Sequence, residues 1–72
     1  MTYSVLMLKG PTGYNALVPD LPGVYAAGKT FEETRELVTG AISLHIRALI
    51  ADGDTVPEPS ADMELIEVAT YR

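Results

Sequence analysis

The chain has no cysteine and no tryptophan, one phenylalanine and one histidine. Without thiols no disulfide can staple a small domain, and a lone histidine leaves no ligand set for a structural zinc. Cations are scarce as well. Five Lys and Arg stand against ten Asp and Glu, giving a net charge of −5, and the basic residues form no cluster. A nucleic-acid binder carries the opposite footprint. No apolar run approaches the roughly 18 residues that a membrane span needs, and Met1-Thr2-Tyr3-Ser4 has no charged leader region. The sequence therefore reads as one soluble, cytoplasmic domain over 1–72, without membrane or DNA binding, whose acidity suits a basic partner.

What the chain does have is apolar surface, 47% of its 72 residues. Domains this small bury a modest fraction of their surface, and neither disulfide nor zinc can compensate. Self-association is the remaining way to add buried area. A homo-oligomer, dimer or higher, is expected.

The stretch 30–52 is the one segment long and periodic enough to organise the rest. Thr30 and Glu33 form a capping box, with Thr30 accepting from the N–H three residues on and Glu33 reaching back to the Thr30 N–H. At about 100° per residue, Thr34, Val38, Ala41, His45 and Leu49 share one face. Glu32, Glu33, Glu36, Thr39, Gly40, Ser43 and Arg47 share the opposite sector. Leu37 and Leu44 widen the apolar arc on one side and Ile46 and Ile50 on the other, so more than one sheet face is expected to cover it. Gly53 is the expected stop, and Pro57 and Pro59 forbid continuation. Gly40 costs about 1 kcal/mol relative to Ala in mid-helix; close approach of another backbone is its expected use, and a tolerated defect is the other reading.

Before the helix, 3–9 reads as a strand that is apolar on both faces, as expected for a strand covered on both sides. Gly10-Pro11-Thr12-Gly13 is a turn and 14–18 a second strand, which makes the pair an antiparallel hairpin. Pro19-Asp20-Leu21-Pro22-Gly23 follows as a rigid connector, because neither proline can donate to a ladder. A third short strand is expected over 24–28. After the helix comes an acidic connector, Asp52-Gly-Asp-Thr-Val-Pro-Glu-Pro-Ser60, and then a last strand over 62–70. The helix is then a right-handed crossover that sets strand four parallel to strand three. Docking strand four beside strand one gives an α+β, two-layer β-β-β-α-β fold, sheet order 3-2-1-4, with one helix on one face.

Several of these motifs together carry a resemblance. A Tyr-x-Ala-x-Val-Pro-Asp-Leu-Pro-Gly strand and loop, then Gly-Lys-Thr-Phe-Glu-Glu opening a helix, then the acidic Pro-Ser connector, resemble the HicB-like antitoxin family over about 3–68. The resemblance implies a partial RNase H-like fold, which matches the order reached from patterning. It also implies a HicA-like partner, a small RNA-cleaving toxin with a basic surface, neutralised when its active site is covered. Many family members continue into a ribbon-helix-helix or helix-turn-helix domain, whereas this sequence stops at Arg72, so DNA binding is not expected of it.

The same resemblance raises a two-metal nuclease, but strand 3–9 contains no Asp or Glu and no inward constellation can be assembled. His45 lies on the apolar face and is expected to be a hydrogen-bonded core residue. Ser43 and Ser60 have no evident base. Gly10 to Gly13 lacks the spacing of a phosphate loop. Tyr3, Tyr14, Tyr25 and Tyr71 have no cations beside them and read as core or interface aromatics. Asp20 is expected to cap its own turn. No catalytic residue, metal ligand or cofactor is assigned. Candidate partner contacts are Pro19, Asp20, Leu21, Pro22 and Gly23 of the rigid loop, with Glu32 and Glu36 of the helix. The function expected is that of a non-enzymatic antitoxin. The alternative is an orphan oligomeric domain that binds another protein or a small ligand.

Overall fold

The structure is a computed structural model that describes residues 2–59. Three antiparallel strands, β1 (Leu6–Gly10), β2 (Gly13–Leu17) and β3 (Tyr25–Gly28), form a meander in the order β1-β2-β3, and a single helix, α1 (Phe31–Ala51), covers one face. This is the α+β arrangement expected as far as strand three. The strand expected over 62–70, and with it the fourth place in the order 3-2-1-4, lies outside the described residues.

The hairpin closes on Gly10 opposite Gly13, leaving Pro11 and Thr12 as its two-residue loop. Proline fixes φ near −65°, so this loop cannot use the primed turns that most two-residue hairpins prefer. β1 begins three residues later than its apolar run. Leu6 pairs with Leu17, the last residue of β2, and Val18 already accepts the first hydrogen bond of the next turn. Residues 3–5 therefore precede the paired part of β1.

The chain from Val18 to Val24 makes two consecutive turns. Leu21 N–H donates to Val18 O at 3.0 Å, and Val24 N–H donates to Leu21 O at 3.1 Å. In the second turn Pro22 precedes Gly23, whose φ of 88° is open to glycine, as a type II turn requires. Val18, Leu21 and Val24 are thereby spaced to point inward together, and all three are buried. With Ala16 and Val38 they make up the core, flanked by Tyr3, Val5, Met7, Ala26, Ala41 and Ile42.

Thr30 caps α1 by accepting from Glu33 N–H at 3.1 Å. The Glu33 carboxylate returns to the N–H of Lys29 at 2.7 Å, one residue earlier than the expected box. Gly28 makes that reach possible, because a Cβ there would lie 2.9 Å from Glu33 Oε1 and 2.6 Å from Thr34 Oγ1. The helix ends in a Schellman motif. Asp54 N–H donates to Leu49 O at 2.9 Å and Gly53 N–H to Ile50 O at 3.1 Å, with Gly53 at φ 74°. Beyond it the chain returns toward its own start, where the Tyr3 hydroxyl donates to Pro57 O.

Two helix expectations need correction. Val38 and Thr34 are buried, Thr34 donating its hydroxyl to Thr30 O at 2.8 Å, but His45 is only half-buried and its imidazole makes no hydrogen bond among the described residues. It stands where the helix overhangs the start of β3 and is not a core histidine. Gly40 has no other described part of the fold within 4 Å of where its Cβ would lie, so no described backbone outside its own helix approaches it there.

Candidate partner-binding site

The register of the sheet sorts its side chains into two unlike faces. Met7, Ala16 and Ala26 sit in line across the three strands on the helix side, where small residues let α1 lie close. Leu6, Leu17 and Tyr25 form the neighbouring row and face the other way. They are 37%, 43% and 67% exposed, and Leu8 on the same face is 44% exposed. Nothing among the described residues covers this face. Four large apolar side chains on one sheet surface form the kind of patch that marks an interaction site.

A second feature lies between α1 and the start of β3. An open groove of about 320 Å³ is lined by Gly23, Val24, Tyr25, Ala41, Leu44, His45 and Ala48. On the other flank a groove of about 260 Å³ runs between β1 and the helix, lined by Val5, Met7, Phe31, Arg35, Val38 and Thr39. Phe31 meets Tyr14 edge-on there, with ring centroids 5.7 Å apart.

The residues singled out from sequence do not form one cluster. In the loop, Pro19, Pro22 and Gly23 are exposed and Asp20 is half-buried, whereas Leu21 is fully buried and belongs to the core. The loop therefore offers its proline corners to a partner and keeps Leu21 as its anchor. Gly23 stands beside Leu44, His45 and Ala48, in the later half of the helix. Glu32 and Glu36 are exposed at its beginning, several turns away. The outer sheet row was legible as a strand apolar on both faces; the β3-side groove had no signal beyond Leu37 and Leu44 at a seven-residue spacing.

Chemistry at these surfaces is limited. Among the described residues no three His, Asp or Glu come together to hold a metal ion, and no helix is long and apolar enough to cross a membrane. Thr34 is the only buried polar residue described, and it is hydrogen-bonded.

The sequence matches the family model for the HicB-like antitoxin of bacterial toxin–antitoxin systems over residues 3–72. The chain belongs to the HicB-like antitoxin family. Among curated relatives, an uncharacterised 14.9 kDa protein of Haemophilus phage HP1, from the rep-hol intergenic region, is 32% identical over the whole chain. The chain spans about half of that relative, 54% of its length. A UPF0150 protein of Synechocystis is 44% identical over 57 residues, 78% of this chain and 72% of the relative. One from Thermoplasma acidophilum is 33% identical over 63 residues, covering 86% and 91%. Among solved structures, a chain of a HicA3 and HicB3 toxin–antitoxin complex superposes with a TM-score of 0.69 and 32% identity, covering 83% of this chain and 70% of that one.

Proposed function

We propose that this HicB-like domain is a non-enzymatic antitoxin that binds a small basic HicA-like toxin and blocks its RNA-cleaving site. The observation that carries the reading is the likeness, at 32% identity, to a chain of a solved toxin–antitoxin complex. Physical features support it. A net charge of −5 attracts a cationic protein and repels phosphate backbones, and the uncovered Leu6, Leu8, Leu17 and Tyr25 supply the apolar area that holds a partner once it has docked. Further contacts come from Glu32 and Glu36 at the helix start and from the corners Pro19, Asp20, Pro22 and Gly23, outside the apolar patch itself. In the same reading 1–72 is one cytoplasmic domain that self-associates, and the strand expected over 62–70 joins the free edge of β1 to complete the order 3-2-1-4.

The test is coexpression with the product of an adjacent small basic open reading frame. Copurification, rescue of growth and an association rate that falls with added salt are expected. Failure of the pair to associate at low salt would leave the alternative, an orphan oligomeric domain for another protein or small ligand. RNA or DNA cleavage in Mg²⁺ or Mn²⁺ that is lost in Asp62→Ala or Glu64→Ala would overturn the non-enzymatic assignment.

A further inference from the structure

We infer that the flank of α1 beside β3 docks against the same flank of a second copy, with the two helices antiparallel about a two-fold axis near Gly40. Leu37 and Leu44 are 48% and 69% exposed and lie two turns apart on one stripe of the helix. Between them are Gly40, with no other described part of the fold near it, and Ala41 on the wall of the β3-side groove, and Ala48 follows one turn beyond Leu44 on the same wall. Small residues between two leucines allow helices to approach to the usual 8–10 Å. Leu37 of one copy then enters the groove beside Leu44 of the other.

Charge selects the occupant and its direction. Glu36 and Arg47 are both exposed on one edge of this stripe, and neither is ion-paired among the described residues. Eleven residues of helix separate them by about 16 Å, too far to pair with each other. The midpoint of Glu36 and Arg47 and the midpoint of Leu37 and Leu44 fall within one residue of each other, at Gly40 to Ile42. An antiparallel two-fold that faces leucine against leucine therefore also sets Glu36 against Arg47, twice. A parallel two-fold would carry the second copy's Glu36 and Arg47 to the opposite edge of the contact, where no such pair forms. No described residue closes the flank: the described chain beyond the helix leaves toward Tyr3, on the opposite, β1 side. The adjoining edge strand, Tyr25–Gly28, carries no Lys, Pro or other charge of the kind that discourages association. Glu32 points further from this stripe and stays open to a basic partner.

The proposal stands apart from the toxin-binding reading, so its test uses the full chain alone. Sedimentation between about 1 and 100 µM, a range suited to a small interface, should show a monomer–dimer equilibrium. Leu44→Glu should abolish it. Glu36→Arg and Arg47→Glu should each weaken it by about tenfold, and the double exchange should restore it, since attraction is regained with the signs reversed. Leu8→Glu, on the outer sheet face, should leave it unchanged. A monomer at every concentration, a dimer that survives Leu44→Glu, a double exchange no better than the single changes, or loss of the dimer in Leu8→Glu would each overturn the inference. So would failure of Leu44→Glu to fold, because a free surface position tolerates that change.

Discussion

The same three strands present two faces that are built in opposite senses. The face under the helix has Met7, Ala16 and Ala26 in line at its centre, with Tyr14 against Phe31 toward one end, and it is the covered one. The face turned away carries Leu6, Leu8, Leu17 and Tyr25, and it is exposed. A monomer that optimised only its own stability would put its bulk inside, since burial contributes about 25 cal/mol per Å² of apolar surface. Here much of the bulk is outside. The fold holds itself together with a thin core whose largest fully buried apolar side chain, Leu21, comes from a loop and not from the sheet. In the proposed reading, the outer face is the apolar area that a partner covers.

That contrast predicts unequal costs for equal changes. Leu21→Ala removes a fully buried side chain from the turn that seats Val18 and Val24, and should cost about 2–5 kcal/mol in denaturant unfolding, enough to leave much of the chain unfolded. Leu17→Ala on the outer face should cost less than about 1 kcal/mol in the isolated chain. Equal losses at the two positions would show that the outer face is already covered in the chain by itself.

The converse holds for association. Leu6→Ser with Leu17→Ser should leave the helix content intact and weaken capture of the basic partner at least tenfold, about 1.4 kcal/mol, when binding is measured by titration. If binding is untouched, the toxin meets another surface, with the helix start and the proline loop the next to test. Thr30→Ala sits on neither face and calibrates the comparison. It removes the hydrogen bond to Glu33 N–H and should cost about 1 kcal/mol in thermal unfolding without changing partner affinity.

Local signals in the sequence were read correctly where one residue type has one physical use. Thr30, Gly53 and the capping glutamate set the helix ends to within a residue, and the glycine-flanked turn set the hairpin. Reading failed where a residue's use depends on what lies across from it. His45 shares the core stripe in projection, yet β3 stops short of covering it. Leu21, expected as a contact in a surface loop, is held in the core by two turns whose hydrogen bonds no periodicity reveals. Periodicity marks which side is apolar. It does not say which neighbour buries it, and here that difference separates the core from the exposed apolar faces.

Gly40 gives the smallest and most discriminating measurement. A glycine in mid-helix is less favourable than alanine by about 1 kcal/mol, because it gives up more backbone freedom on folding. A Cβ added there meets nothing among the described residues within 4 Å, so Gly40→Ala should stabilise the chain by about 0.5–1 kcal/mol when it is dilute enough to be monomeric. The same methyl group would stand between two helices in the antiparallel pair and hold them apart. The variant should therefore melt higher than the parent at low concentration and dimerise more weakly at high concentration. Stabilisation at both would place the two-fold contact away from Gly40. Destabilisation in the monomer would mean that the position is already occupied within the chain, and the helix flank would then belong to the core and not to the surface it is compared with.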